Sequence, residues 1–456
     1  MKIVVLWSDA LIFLLVASIG FFFWGLRNDK LIMARWRQIF SSRLGMMTFV
    51  IIAAYLAVAL LDSMHFRKAI PPTENQVTNE VFYDNQVTSV LDVVLGKMAT
   101  ENERTYSAPF ALISFEKVNM QREDGTSYRD FPALEHAGKH LGSQESMAGD
   151  VFFQSLIGLL IGVGVCLIWI GPQWMLLKQS TLPWWSAWLT QALILLCACW
   201  IIYVGNLYHI LGTDQAGNDV LYKSIKGIRT GVLLGTLATL ITLPIAVSLG
   251  LSAGYFKGWV DDMVQYLYTT LSSIPGILLI AASVLLFQVY IDLNPDFFSI
   301  GMEKADARFV ALCFILGVTS WATLCRLVRA ETLKISQLDY VQAAHAFGVS
   351  NYRIIKRHIL PNLTHIILIT FVLDFSGLVL AEAVLSYVGV GVDPSMASWG
   401  NMINGARSEL SREPAIWWTL TGAFFFMLIL VLATNLFSDL VRDAFDPKTV
   451  ERGAAA

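Results

Sequence analysis

The chain has 456 residues, 55% of them hydrophobic and 15% charged, with a mean hydropathy of +0.58. Its apolar residues fall in blocks about as long as the ~20 residues that cross a bilayer, which excludes a string of ordinary soluble domains. A formal net charge of −3 offers no electrostatic footprint for nucleic acid.

The apolar blocks predict nine membrane spans, at 3–25, 44–61, 151–170, 185–204, 228–253, 264–290, 309–325, 363–385 and 416–437. The first reads as a retained helix, since a single Lys2 precedes it and no small-residue cleavage site follows. Asp9 within it is expected to snorkel toward the surface. Pro172 and Pro183 bracket the turn between the third and fourth spans. Pro244 and Pro275 lie inside spans, where neighbouring helices can satisfy the carbonyls they free. Cys166, Cys197, Cys199, Cys313 and Cys325 sit in or beside apolar blocks, so they read as small packing residues; no disulfide framework and no metal site is expected.

Basic residues set the orientation. They gather in the loop 26–43 (Arg27, Lys30, Arg35, Arg37, Arg43), in the loop after the seventh span (Arg326, Arg329, Lys334, Arg353, Lys356, Arg357), and in the tail (Arg442, Lys448, Arg452). An even number of spans separates each from the next, so all three are placed in the cytoplasm. The N-terminus and the segment 62–150 are placed outside. That segment is polar but carries apolar runs at 89–95 and 110–115, enough for a small folded insertion. It is expected to modulate docking and to be replaceable over 71–143 by a short linker. A weak echo links 140–158 to 211–227; recurrence of Gly, Ser and Asp at membrane entries accounts for it more simply than duplication.

No Walker A sequence is present. Gly96-Lys97-Met98 and Gly138-Lys139-His140 lack the following Ser or Thr and the upstream glycine. No nucleophile elbow, metal-binding histidine pair or CxxC occurs, so the chain is expected not to be an enzyme.

The loop from Asp339-Tyr340-Val341-Gln342-Ala343-Ala344-His345-Ala346-Phe347-Gly348 through Ser350 to His358-Ile359-Leu360-Pro361 reads as two short helices. Gly348 would stop the first in a left-handed turn, Ser350 would cap the second, and Pro361 would break the chain before the next span. A small-residue helix edged by Tyr340 and Phe347 suits docking into a partner's groove.

This loop resembles the coupling motif of ABC-importer permeases: Ala343, Ala344, Gly348, Leu360 and Pro361 occupy the matching positions. Gln342 stands where the family has Glu, and Arg357-His358-Ile359-Leu360-Pro361 resembles the peptide-transporter branch. Further stretches are similar to that branch's second permease subunit: Gly212-Thr213-Asp214 with Asp219, residues 253–256, residues 382–391, Ser398-Trp399-Gly400-Asn401-Met402, and residues 442–447. Arg35-Trp36-Arg37 with Arg43 resembles the lead-in to the family's first span.

The resemblance implies an all-α polytopic protein of the bacterial inner membrane, with a MetI-like core at 206–448 and a coupling loop at 326–362. Two N-terminal helices (1–61), the external insertion 62–150, an extra helix pair (151–205) and a tail (449–456) would be additions. It implies a related second permease, two cytoplasmic ATPases carrying ATP and Mg, and an external solute-binding protein that delivers dipeptides or oligopeptides. No cofactor would sit on this chain.

Asp374 and Glu382 are candidate pathway residues or a helix-joining hydrogen-bonded pair. Two rivals remain open at this level: a proton-driven transporter with Asp374 as relay, and a sensor whose insertion binds a ligand. Within the importers, nickel chelates and antimicrobial peptides are alternative cargoes.

Overall fold

A computed structural model describes residues 2–26, 30–69, 83–121, 127–141, 146–177, 180, 182–294 and 301–445. Strand β1 (Lys2–Val4) leads into helices α1 (Trp7–Leu26), α2 (Lys30–Ser41) and α3 (Arg43–Asp62). The next segment carries β2 (His65–Ala69), β3 (Tyr83–Ser89), the short helices α4 (Val90–Leu95) and α5 (Lys97–Thr100), and a hairpin of β4 (Val118–Gln121) and β5 (Ser127–Asp130). Helices follow, with no further strand among the described residues: α6 (Met147–Leu177), α7 (Trp184–Gly205), α8 (Val220–Phe256), α9 (Trp259–Ser273), α10 (Gly276–Leu293) and α11 (Gly301–Ile335). The last are α12 (Asp339–Ala346), α13 (Asn351–Ile354), α14 (Leu360–Tyr387), α15 (Trp399–Glu409) and α16 (Trp418–Phe445).

Eight helices among the described residues are long and apolar enough to cross a membrane: α3, α6, α7, α8, α10, α11, α14 and α16. The remaining expected span is α1, 20 residues long, whose apolar stretch is Trp7–Ser18. It begins later than expected because Lys2–Val4 pairs as a strand. The sixth expected span, 264–290, is two helices. Proline disfavours helical geometry in the residue before it, and Ile274 is accordingly extended (φ −91°, ψ 133°), so α9 stops and α10 starts at Gly276. With 15 residues and Asp261 and Asp262 in its first turn, α9 is too short and too charged to span.

The chain divides into two compact units. The first comprises Met1–Leu14, Phe40–Gly231 and Ala397–Leu430; the second comprises Leu15–Ile39, Val232–Met396 and Val431–Ala456.

In the first unit, β1, β2 and β3 form an antiparallel sheet in that order, with Ile3 opposite Phe66 and His65 opposite Ser89. The pairing of β1, ahead of α1, with β2, behind α3, holds residues 2–4 and 65–69 side by side. Asp9 does not snorkel. It is fully buried, 2.8 Å from His65 Nδ1 and 2.6 Å from Arg229 Nη2, and it accepts from the Leu6 amide. A carboxylate with these partners is more stable inside than at a surface it could reach only by breaking them. Lys226, one turn before Arg229 on α8, pairs with Asp92 at 2.6 Å. The extra helices α6 and α7 form a hairpin. A Cβ on Gly158 would stand 3.4 Å from Trp200 Cα, and one on Gly162 3.0 Å from Leu196, so the small residues admit close backbone approach.

The second unit packs α8 against α11 in the same way. A Cβ on Gly250 would meet the Cys325 carbonyl at 2.8 Å, and one on Gly254 the Arg329 carbonyl at 2.8 Å. Around this seam lie Leu324, Val328, Val264, Ile354, Ile359 and Leu363. A smaller cluster joins Ile39 of α2 to Val441, Ala444 and Phe445 at the end of α16. The later turns of α2, with Trp36 and Ile39, therefore lie against the end of α16. Arg27, Lys448 and Arg452 lie outside the described residues.

Candidate coupling site

The loop between α11 and α14 is rooted in the second unit's core. Val341, Ile354 and Ile359 are buried in the seam cluster, and Ala344, Val349 and Leu360 pack against it. Helix α12 ends in a double-bonded turn. The Gly348 amide donates to the His345 carbonyl at 3.0 Å and the Val349 amide to the Ala344 carbonyl at 3.1 Å. Gly348 takes φ +74°, the left-handed conformation in which only glycine avoids a Cβ penalty. The expected stop signal lies where the spacing puts it.

Beyond Gly348 the chain departs from expectation. Ser350 occupies the cap position but its side chain makes no capping bond. The chain then runs through α13 and a π-helical turn, Ile355–Ile359, directly into α14, with Pro361 in the first turn. Pro361 thus does not break the helix. In the wider turn the Leu360 amide reaches the Ile355 carbonyl, and Asn362 Nδ2 supplies the His358 carbonyl with a donor at 2.6 Å. The missing proline N–H is then absorbed where the ladder is already shifted.

Outward, α12 presents a mixed surface. Phe347 is 87% exposed, and Gln342, Ala343 and Gly348 are exposed beside it. Tyr340 is partly committed to its own loop: its hydroxyl accepts from Asn362 at 3.1 Å and its ring lies 5.9 Å from His358. Of the two alanines, Ala343 faces outward and Ala344 is half-buried against the core. Gln342 Nε2 donates to the Gln337 carbonyl at 3.2 Å. Phe347, the residue that follows α12, thus stands exposed at the end of a helix rooted in the unit's core.

Gly212, Thr213, Asp214 and Asp219 build a different site, in the first unit. Gly212 (φ +66°) and Gly217 (φ +75°) let the loop ahead of α8 approach the 62–150 segment. A Cβ on Gly212 would overlap the Ser107 carbonyl. Thr213 Oγ1 accepts from the Ser107 amide at 2.6 Å and donates to the Thr105 carbonyl at 2.8 Å. Asp214 accepts from the Ala216 and Asn218 amides and pairs with Lys223.

Asp219 accepts from the Tyr222 amide at 2.9 Å, which caps α8, and lies 2.8 Å from His209 Nδ1. His209 Nε2 is 3.5 Å from Glu103, and Glu103 accepts from the amides of Glu135, His136 and Ala137. Burial disfavours the charge on both side chains. Asp219 and Glu103 outweigh it at His209 and hold the imidazole up at about 9. His209 and the three amides outweigh it at Glu103 and hold the carboxyl down at about 2. His209 and Glu103 had no sequence signal, since nothing local marks a histidine that meets an acid from a distant segment.

The other motif stretches are also structural turns and seats. Trp399 fills the gap left by Gly227 and Gly231 on α8, and its Nε1 donates to the Ser224 carbonyl at 2.9 Å. Glu382 is buried on α14 and accepts from Ser386 Oγ, one turn on, at 2.7 Å. Asp374 is half-buried two turns earlier and has no hydrogen bond or ion pair among the described residues. It does not pair with Glu382.

Residues 246–451 match the model of the binding-protein-dependent transport system inner membrane component family. The glutathione transport system permease protein GsiD of Pectobacterium atrosepticum is 34% identical over 240 residues, which are 53% of this chain and 73% of that protein. The oligopeptide transport system permease protein OppC of Mycobacterium bovis is 32% identical, over 54% of this chain and 78% of the relative. The peptidoglycan transport system permease protein YejE of Agrobacterium fabrum is 36% identical, over 55% and 59% respectively.

The fold and these matches define a multi-pass membrane transport component. The chain belongs to the family of binding-protein-dependent transport system inner membrane components, the permease subunits of ABC importers.

Proposed function

We propose that this chain forms half of the translocation pathway of an ATP-driven importer of dipeptides or oligopeptides. A second permease, related or identical, supplies the other half. Two cytoplasmic ATPases bind ATP and Mg, an external solute-binding protein delivers the cargo, and the chain itself catalyses nothing. The peptide assignment rests on the names of the relatives; the coupling assignment rests on α12. Its exposed Phe347 and Ala343, held by the left-handed turn at Gly348, offer a partner a fixed surface at the membrane's edge.

In this reading 326–362 is the ATPase-coupling segment, with Tyr340, Gln342, Ala343, Phe347 and Gly348 at the contact and Ala344, Leu360 and Pro361 anchoring it. ATP binding then biases two arrangements of the helices, and the loop carries that bias into α11 and α14. The bacterial inner membrane is its location, with 26–43, the coupling loop and the tail in the cytoplasm and 62–150 outside. The pairing of β1 with β2 supports the common side of the N-terminus and the insertion. Asp374, with no hydrogen bond or ion pair among the described residues, is proposed to face the pathway or the second permease. The test is reconstitution with the partner ATPases and binding protein: uptake of a labelled tripeptide that requires ATP supports the reading. Uptake driven by a proton gradient without any ATPase overturns it.

A further inference from the structure

The hairpin of α6 and α7 carries a cavity of about 420 Å³ at its end nearest the 62–150 segment. Ile161, Cys199, Ile202 and Leu207 line it with apolar surface, and Lys97 stands with it at the level of Asn206. From Asn206 down to Cys199 is seven residues along the chain, roughly 10 Å at the helical rise. Ile161 is 45% exposed and its neighbour Leu160 62% exposed, on a helix composed to face lipid, so the slot opens in a membrane-facing wall.

The polar groups of the cavity are nearly all committed. Asn206 Oδ1 accepts from the Lys97 amide at 2.7 Å, and its Nδ2 donates to the Ile202 carbonyl at 2.5 Å. Tyr203 donates its hydroxyl to Gln154 at 3.1 Å. Those bonds fix Lys97 at the end of α7, while its Nζ has no hydrogen bond or ion pair among the described residues. Apart from the Lys97 ammonium, these walls offer a peptide backbone only polar groups already engaged with the protein itself. A hydrocarbon chain needs none, and an anion above it would meet the free ammonium.

We propose that this cavity holds an acyl chain of an anionic phospholipid, drawn from the leaflet on the side of the 62–150 segment, with Lys97 on its phosphate. The lipid would join α5 of that segment to the α6–α7 hairpin. The inference does not depend on the transported cargo.

Native mass spectrometry of the full-length protein in mild detergent, titrated with phosphatidylglycerol or phosphatidylcholine, tests it. Wild type should retain a phosphatidylglycerol adduct in preference to phosphatidylcholine. Lys97→Glu, at an exposed position that leaves the fold intact, should weaken phosphatidylglycerol binding about five-fold or more, as expected for one basic residue at an anionic surface. Cys199→Trp should fill the slot and remove both adducts. Equal binding of the two lipids by wild type, or unchanged phosphatidylglycerol binding by Lys97→Glu, would overturn the proposal. So would a well-folded Cys199→Trp protein, judged by elution and melting, that keeps the wild-type adduct.

Discussion

The backbone amide of Glu103 donates to the carbonyl of Gly217 at 2.9 Å, and a Cβ on Gly217 would overlap the Glu103 carbonyl. The middle of the 62–150 segment is thereby built into the loop that starts α8. The expectation that residues 71–143 could be exchanged for a linker loses its basis, because such an exchange would strip the buried Thr213 of Ser107 and Thr105 and leave His209 with Asp219 but without Glu103. Gly217→Ala adds both overpacking and a left-handed alanine, each costing about 1–3 kcal/mol. We expect a sharp loss of folded protein in the membrane, read by fluorescence-detected elution. Wild-type yield and melting would show that the contact is dispensable.

The same contact carries a pH dependence. The raised pKa of His209, about 9 against 6.5, means that its contribution is complete below pH 6.5 and lost as pH rises through about 9. The lowered pKa of Glu103, about 2 against 4.5, means that its contribution is complete above pH 4.5 and lost as pH falls through about 2. Stability of the segment should therefore be greatest between these limits. Hydrogen exchange at the amides of 135–137 should accelerate toward pH 9 after correction for intrinsic rates. His209→Gln should flatten that alkaline limb, and an unchanged limb would refute the assignment.

At the coupling loop, a Cβ on Gly348 would meet no atom within 4 Å, so the cost of Gly348→Val is set by φ +74°, about 1–3 kcal/mol of local strain. Ala343→Arg alters the outward surface without touching the core, whereas Ala344→Arg would disturb the chain's own packing. Gly348→Val and Ala343→Arg are expected to abolish uptake at normal membrane levels and to reduce ATPase co-purification. Arg353→Ala, exposed on α13, should do much less. Normal uptake by both of the first two variants would remove this loop from the coupling role.

Asp9 and Arg229 provide a double-mutant test. Removing one charge of a buried pair typically costs about 3–5 kcal/mol, because the other is left uncompensated. Asp9→Ala should lower the melting temperature strongly, and adding Arg229→Met should restore part of the loss. Additive effects of the two changes would show that the pair is not energetically coupled.

Orientation can be read from single cysteines in a cysteine-free background. Gln121 on β4 and Ser41 at the end of α2 are both exposed. An impermeant maleimide on spheroplasts should label Gln121→Cys and leave Ser41→Cys unlabelled. The reverse pattern would invert the proposed topology.

The membrane class and the spans were legible in the sequence because a bilayer imposes a length and a composition that a single chain must satisfy locally. The stop at Gly348 was legible for a similar reason, since a left-handed turn selects glycine whatever lies nearby. Pro275 was visible as well, although only the extended Ile274 shows that it divides a span. Tertiary structure decided everything that depends on a distant partner. Asp9 looked like a surface charge until Arg229 and His65 were placed beside it. Gly212 looked like a family signature residue and Gly217 carried no signal, and the neighbours of both prove to be carbonyls from more than a hundred positions earlier in the chain. Which of two adjacent alanines faces outward is fixed by the core beneath α12, and no local pattern of small residues contains that information.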